Sequence, residues 1–147
     1  MKSNRSRLLE WPVVVAAGFL LVVAGLSYCG VAPADDWKAP PRAKNKQNPV
    51  PADAATIAAG KTIYVGTCMA CHGAAGKGDG PAAVTCNPRP KNLSDPQIAS
   101  QADGELFWKI TEGKKPMPTY EKLLSESDRW KVIDYIRTLA PRPPGSK

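Results

Sequence analysis

The feature that most constrains this chain is the run of residues 68–72, which reads Cys-Met-Ala-Cys-His. It places two thiols and an imidazole within five residues, and His72 is the only histidine among the 147 residues. A single imidazole excludes zinc hydrolases, bis-histidine metal sites and histidine relays. The chemistry must therefore be one that His72, Cys68 and Cys71 can support together.

The spacing C-x-x-C-H is the attachment signature of a c-type haem. Two thiols three positions apart at the end of a helix can add to the two vinyl groups on one porphyrin edge, which directs His72 toward the iron. A thioredoxin-like pair needs a preceding strand, whereas the preceding segment here reads as helix. A zinc site is disfavoured because His72 directly follows Cys71, and a disulfide leaves the histidine unexplained. We therefore predict one covalent haem c, attached through Cys68 and Cys71 and ligated by His72.

The second axial ligand is predicted by elimination among the methionines, which are Met1, Met69 and Met117. Met1 lies at the cytoplasmic end, and Met69 lies inside the attachment loop and cannot reach the opposite haem face. Met117 lies between two prolines, which stiffen its loop. We therefore predict that Met117 ligates the iron, and a methionine sulfur would raise the haem potential relative to a second histidine. The alternative is that it fills a gap in the core.

The N-terminal segment predicts export or membrane attachment. Residues 11–34 carry no charged side chain and follow a basic leader of Lys2, Arg5 and Arg7. Such a run can serve as an uncleaved anchor with a cytoplasmic N-terminus, or as a signal cleaved after Ala34 to release a soluble periplasmic protein. Lipidation at Cys29 is a third possibility. All three place the rest of the chain on the periplasmic side of the cytoplasmic membrane.

Composition divides the remainder of the chain. Prolines alternate with basic residues between Pro33 and Ala52, so no packed element is expected there, and these 20 residues could extend to about 60 Å at ~3.1 Å per residue. They predict either a tether or a processed, disordered tail. We assign residues 1–34 to a signal or anchor, 35–52 to a linker, 53–141 to a haem domain and 142–147 to a tail.

Three helices are predicted in the haem domain. The first begins near Asp53 and carries Ile57, Gly60 and Tyr64 on one face, and Gly60 suggests close approach of the last helix. That last helix follows a Ser125 cap and ends before Pro141. A middle helix runs from about Asp103 to Gly113, and its rings, Phe107 and Trp108, could line the haem or pack in the core. No segment shows convincing strand alternation. Residues 73–90 read as a loop from which a backbone carbonyl, at Pro88 or Pro90, could hold the His72 ring.

Over about residues 54–139 the chain resembles the monohaem, all-α cytochrome c family of the small Met/His-ligated type. The resemblance rests on Gly60 and Tyr64, the attachment run, the glycine-rich stretch 76–80, the Met117–Pro118 pair and a final helix with Trp130 and Tyr135. It implies three to four helices around one covalent haem, with the first and last helices crossing, and a one-electron carrier. Cys86 departs from the family pattern and reads as an inert thiol or as one with a redox or intermolecular role.

These observations predict one-electron transfer in the periplasm, by a membrane-tethered carrier or a subunit of a respiratory or dehydrogenase complex, and no enzymatic activity. Donor and acceptor would be redox proteins such as an oxidase, a dehydrogenase or a quinol-oxidising complex. From Asp35 onward basic side chains exceed acidic ones by five, and Lys77, Lys114 and Lys115 could steer an acidic partner. The dispersed charge does not favour nucleic acid. The alternatives are a small peroxidase-like haem enzyme and a haem-based sensor or assembly subunit.

Overall fold

The computed structural model describes residues 37–140 of the chain. The predicted signal or anchor segment 1–34, with its alternatives at Cys29 and Ala34, and the predicted tail 142–147 lie outside the described residues. Residues 37–140 form helices and no strand, apart from an isolated bridge between Lys114 and Met117. Within that range no helix has both the length and the apolar character needed to cross a membrane. The all-α prediction is confirmed for the described residues.

Two of the three long helices begin at side-chain caps. The Asp53 carboxylate accepts from the Thr56 amide at 2.8 Å, and the Ser125 hydroxyl accepts from the Asp128 amide at 3.1 Å. All three predicted helices are present, with short helical turns between them. The helices are α1 (Pro41–Lys44), α2 (Ala54–Thr67), α3 (Met69–His72), a 3-10 helix (Pro81–Thr85), α4 (Pro96–Ala99), α5 (Asp103–Glu112) and α6 (Glu126–Leu139).

The crossing of α2 and α6 organises the domain. Gly60 of α2 lies directly against the backbone carbonyl of Lys131 in α6, where a β-carbon would overlap that oxygen. One turn later the Tyr64 ring meets the Tyr135 ring, with centroids 5.1 Å apart. Tyr64 is fully buried, and its neighbours in the core include Ile133, which is also fully buried. The close approach inferred from Gly60 in the sequence is confirmed.

Helix α5 packs on α6 through aromatic and ionic contacts. The Phe107 ring stacks on Trp130 at a centroid distance of 4.1 Å and an angle of 20°. Arg137 of α6 donates from Nε to the Asp103 carboxylate at 2.8 Å and from Nη1 to the Ala99 carbonyl at 2.8 Å. These contacts make Phe107 part of the helix–helix core, which is one of the two roles considered for it.

The expectation that no packed element forms between Pro33 and Ala52 is wrong for the described residues. Residues 41–44 form α1, and its Ala43 is buried. The Asn48 side-chain amide donates to the Asp134 carboxylate at 2.8 Å, and Val50 packs against the core. Prolines and repelling charges disfavour order only locally, and here contacts with α5 and α6 override them. Residues 37–50 are called the strap below.

Candidate functional site: the attachment run and its loop

The attachment run lies where α2 gives way to α3. The Cys68 amide donates to the Tyr64 carbonyl at 2.8 Å, which continues the backbone ladder of α2, and the His72 amide donates to the Cys68 carbonyl at 2.9 Å. Both thiols therefore occupy one helical turn, with the imidazole immediately after it. Neither Cys68 nor Cys71 forms a disulfide, so both sulfur atoms are available for thioether bonds.

The His72 ring is oriented by a backbone carbonyl. Its Nδ1 atom lies 3.1 Å from the carbonyl oxygen of Lys91. A carbonyl can only accept, so Nδ1 carries the proton and Nε2 is left as the ligand atom. Burial lowers the pKa of His72, which favours the neutral, metal-binding form, although the bond to Lys91 opposes part of that shift. A carbonyl was expected in this role, but it belongs to Lys91 and not to Pro88 or Pro90.

The loop after the attachment run is folded back onto His72. The Gly78 amide donates to the His72 carbonyl at 2.8 Å, and the Leu93 amide donates to the Gly76 carbonyl at 2.6 Å. Gly78 has a φ of 76°, and a β-carbon there would overlap the Pro90 carbonyl. Glycine is needed at this position for both reasons. Residues 76–78 therefore pass close to residues 90–93, and the Lys91 carbonyl lies within hydrogen-bond distance of the imidazole.

Cys86 lies beside the attachment run. It ends the 3-10 helix and is half-buried, and its thiol donates to the Ala82 carbonyl at 3.4 Å. Burial raises the pKa of the Cys71 thiol, and a hydrogen bond with Cys86 raises it further. Burial likewise raises the pKa of Cys68, while a hydrogen bond with the Thr67 hydroxyl lowers it. Both attachment sulfurs are thus held as thiols at neutral pH.

Met117 lies in the loop between α5 and α6. Its amide donates to the Lys114 carbonyl at 2.9 Å, and its side chain packs, partly buried, against the same core cluster as Cys68. The Tyr120 hydroxyl, three residues further on, donates to the Thr67 carbonyl at 2.9 Å. That bond fastens the methionine loop to the end of α2, next to the attachment run. Ligation of the iron by Met117 stays a prediction.

Two tyrosines shape the site through hydrogen bonds that the sequence did not predict. The Tyr64 hydroxyl donates to the Gly73 carbonyl at 2.7 Å and so fixes the chain just after His72. Tyr120 is buried, and its burial, with the nearby cysteines, raises its pKa to about 12, so it remains a hydrogen-bond donor. The available signal for Tyr120 was a single aromatic residue three positions after Met117. No local signal identified the Lys91 carbonyl.

The residues present fit a covalently attached haem. Cys68 and Cys71 supply two unpaired thiols on one helical turn, and His72 supplies an imidazole whose ligating nitrogen is defined by the bond to Lys91. The predicted thioether ligand at Met117 would complete a donor set of the kind that haem iron takes in cytochromes. The buried hydroxyl groups of Tyr64 and Tyr120 donate to backbone carbonyls and not to the thiols or the imidazole.

Comparisons with known proteins found a matching family and similar solved structures. A family described as cytochrome c oxidase, cbb3-type, subunit III matches residues 55–136. Among solved structures, a chain of the Kuenenia stuttgartiensis reducing HAO-like protein complex is similar, with a TM-score of 0.57 and 30% sequence identity. The match covers 63% of this chain and 47% of that one, so this chain spans about half the length of its structural relative. No curated protein sequence matches significantly.

Proposed function

Because the chain belongs to the cytochrome c family described as cytochrome c oxidase, cbb3-type, subunit III, we propose that it carries single electrons at the periplasmic face of a membrane. Membership in the family implies one covalently bound c-type haem. The observation that carries the proposal is the His72 ring, held at Nδ1 by the Lys91 carbonyl, in a run whose two cysteines form no disulfide. Haem supplies a reversible one-electron change at its iron.

The residues of the site have separate tasks in this proposal. Cys68 and Cys71 hold the haem covalently, so a small domain retains it. His72 and Met117 would hold the iron, and two protein ligands would leave no open position for peroxide or O₂. The Lys91 carbonyl fixes the ring of His72, so the ligand does not reorient when the charge of the iron changes.

Electron exchange needs a surface on which a partner can dock. Three large apolar side chains are exposed in the described part of the chain. Val65 lies one turn before Cys68, Val84 lies on the 3-10 helix, and Leu123 bonds through its amide to the carbonyl of Tyr120. Large apolar side chains that are exposed favour a protein contact where they share one patch. We propose that they form the docking surface for the redox donor and acceptor.

Charge supports an acidic partner at this surface. Lys77 follows the attachment run, Lys114 and Lys115 precede Met117, and all three are exposed. Opposite charge on a partner would accelerate encounter at low salt and lose that effect as ionic strength rises. Electron-transfer rates with an acidic redox protein should therefore fall steeply with salt. A rate independent of salt would contradict the assignment of an acidic partner.

We further propose that the domain is tethered to the membrane through residues 11–34, with redox partners in a respiratory or dehydrogenase complex. Support comes from the uncharged run, the basic leader and the similarity to a chain of a multi-protein complex. Intact mass on membrane and soluble fractions tests this directly. We expect the membrane fraction to contain the uncleaved chain with one haem. A soluble protein whose mass corresponds to a chain that begins after Ala34 would indicate a cleaved signal instead. A mass that includes a lipid on Cys29 would indicate a lipid anchor.

A small haem enzyme is the second candidate, because the similar structure belongs to a complex described as reducing. An enzyme of this kind needs an open sixth position on the iron. The oxidised protein distinguishes the two functions. We expect a low-spin spectrum that is unchanged by hydrogen peroxide, together with rapid reduction by a small one-electron donor. A high-spin spectrum that changes at once with peroxide would favour the enzyme.

A further inference from the structure

Cys86, the cysteine outside the attachment run, is held against that run by backbone hydrogen bonds. The Gly80 amide donates to the Cys71 carbonyl at 3.1 Å. The 3-10 helix begins directly after Gly80 and ends at Cys86, whose amide donates to the Ala83 carbonyl at 3.2 Å. The element that carries Cys86 therefore starts from the helical turn that carries Cys71. None of Cys68, Cys71 and Cys86 forms a disulfide.

Gly80 allows the 3-10 helix to pack directly on α3. A β-carbon at Gly80 would overlap the carbonyl oxygen of Ala70 and lie 2.6 Å from that of Met69. Because backbone oxygens in a helical turn cannot move aside, glycine is the residue that fits at this point. The resulting contact between α3 and the 3-10 helix places Cys71 and Cys86 on two neighbouring elements that pack against each other.

The thiols of Cys71 and Cys86 are paired with each other. A hydrogen bond joins them, and because the Cys86 thiol donates to the Ala82 carbonyl at 3.4 Å, its sulfur accepts the proton of Cys71. The Cys68 sulfur has a different partner, the Thr67 hydroxyl, at 3.3 Å. Of the three thiols, the structure thus brings Cys71 and Cys86 together, which is the arrangement that thiol–disulfide exchange converts into a disulfide.

We propose that Cys71 and Cys86 form a disulfide before haem is attached, and that this disulfide prevents attachment at Cys71 until it is reduced. The oxidant is a second disulfide, such as oxidised glutathione. Exchange with it forms the Cys71–Cys86 bond and breaks the S–S bond of the oxidant, which takes up the two electrons and the two thiol protons and leaves as two free thiols. The inference rests on the haem attachment through Cys71 described above.

The disulfide and the thioether compete for one sulfur atom. A thiolate is the nucleophile in reactions of cysteine, and a sulfur that is part of a disulfide cannot add to a vinyl group. A dithiol reductant must therefore cleave the Cys71–Cys86 bond before haem is attached at Cys71, and the completed protein keeps Cys86 as a free thiol. Cys86 thus makes haem attachment depend on the balance between thiols and disulfides around the chain.

Peptide mapping of the full-length, haem-free chain tests the pairing. Cleavage by trypsin after Lys77 separates Cys86 from Cys68 and Cys71, which stay in one peptide. All proteins carry Cys29→Ser, which removes the fourth cysteine. After treatment with oxidised glutathione we expect a linked pair of peptides from this protein and from Cys68→Ser, and the loss of that pair in Cys71→Ser. A disulfide between Cys68 and Cys71 in place of the linked pair would overturn the proposal.

Urea tests whether the fold brings the two thiols together. In Cys68→Ser we expect the Cys71–Cys86 disulfide to form at least ~10-fold more slowly in urea, where the thiols meet only through closure of a flexible loop. Cys86→Ser is the matched control, since Cys68 and Cys71 are close in sequence and their disulfide should form at similar rates with and without urea. Equal rates of Cys71–Cys86 bond formation in the two conditions would overturn the proposal.

Covalent attachment is measured by offering ferrous haem to the oxidised chain after glutathione is removed. We expect a haem bound through Cys68 alone, and a second thioether at Cys71 once dithiothreitol is added. Two thioethers without dithiothreitol would overturn the proposal. A fully reduced chain that binds no haem would refute the haem site instead, while the peptide map still decides whether Cys71 and Cys86 pair.

Discussion

Replacing Gly60 with alanine perturbs the crossing of α2 and α6 at its closest point. The added methyl group would overlap the carbonyl oxygen of Lys131 and lie 3.2 Å from the β-carbon of Tyr135. A backbone carbonyl in the middle of a helix cannot rotate away, so the two helices must separate. That movement loosens the packing of Tyr64, which lies one turn further along α2 and is fully buried.

The size of the effect follows from two opposing contributions. Overpacking a core contact costs typically about 1–3 kcal/mol, and a backbone neighbour places this site at or above the upper end. Alanine in place of glycine recovers up to about 1 kcal/mol of helix propensity. We therefore expect a net loss of about 2 kcal/mol in the free energy of unfolding. For a domain of this size that lowers the melting temperature by about 8–16 °C.

Thermal unfolding of the holoprotein, followed by circular dichroism, measures the shift. Gly66→Ala in the same helix is the control, since it adds the same methyl group where nothing lies within 4 Å. The control should melt at or slightly above the wild-type temperature. If Gly60→Ala melts as high as Gly66→Ala, the close contact between α2 and α6 does not hold the domain together, and the reasoning from Gly60 is refuted.

Three further predictions concern the site and the strap. Met117→Ala should open the iron to exogenous ligands and lower the reduction potential, and an unchanged potential would show that Met117 is not a ligand. Tyr64→Phe removes the donor to the Gly73 carbonyl and should cost about 1–3 kcal/mol in chemical denaturation, with an unaltered midpoint contradicting the role of that bond. Burial raises the pKa of Asp134, so its ionised form is disfavoured in the folded state and stability is lost as pH rises through that pKa. Asp134→Asn keeps an acceptor for Asn48 and should therefore stabilise the protein at pH 7, with an advantage over the wild type that shrinks as the pH falls through the raised pKa of Asp134 and is lost below about pH 4.

The helices and the attachment run were predictable because their signals are local. Asp53 and Ser125 cap helices whose apolar residues recur with helical spacing. Gly60 indicates that another helix approaches closely, even before that helix is identified. The attachment run is recognised from five consecutive residues. Each of these signals can be read without knowing how distant parts of the chain meet.

The docking of the strap and the choice of Lys91 as the residue that holds the His72 ring could not be predicted, because both depend on contacts between distant parts of the chain. Locally, residues 37–50 contain prolines and repelling basic side chains, and their order comes from Gly104 and the rings of α5 and α6. The Lys91 carbonyl reaches His72 only because the Gly76 carbonyl holds the amide of Leu93. Because a backbone carbonyl has no sequence signature, the sequence predicted that a carbonyl would hold the His72 ring but not which residue would supply it.

We propose that His72 and Met117 hold a haem that exchanges one electron. A reductive titration of the purified holoprotein at controlled potential, recorded into the near infrared, tests it most directly. We predict a single transition that fits one electron, with a weak near-infrared band in the oxidised protein that marks methionine–iron ligation and is absent from Met117→Ala. A high-spin oxidised spectrum without that band in the wild type would contradict the claim.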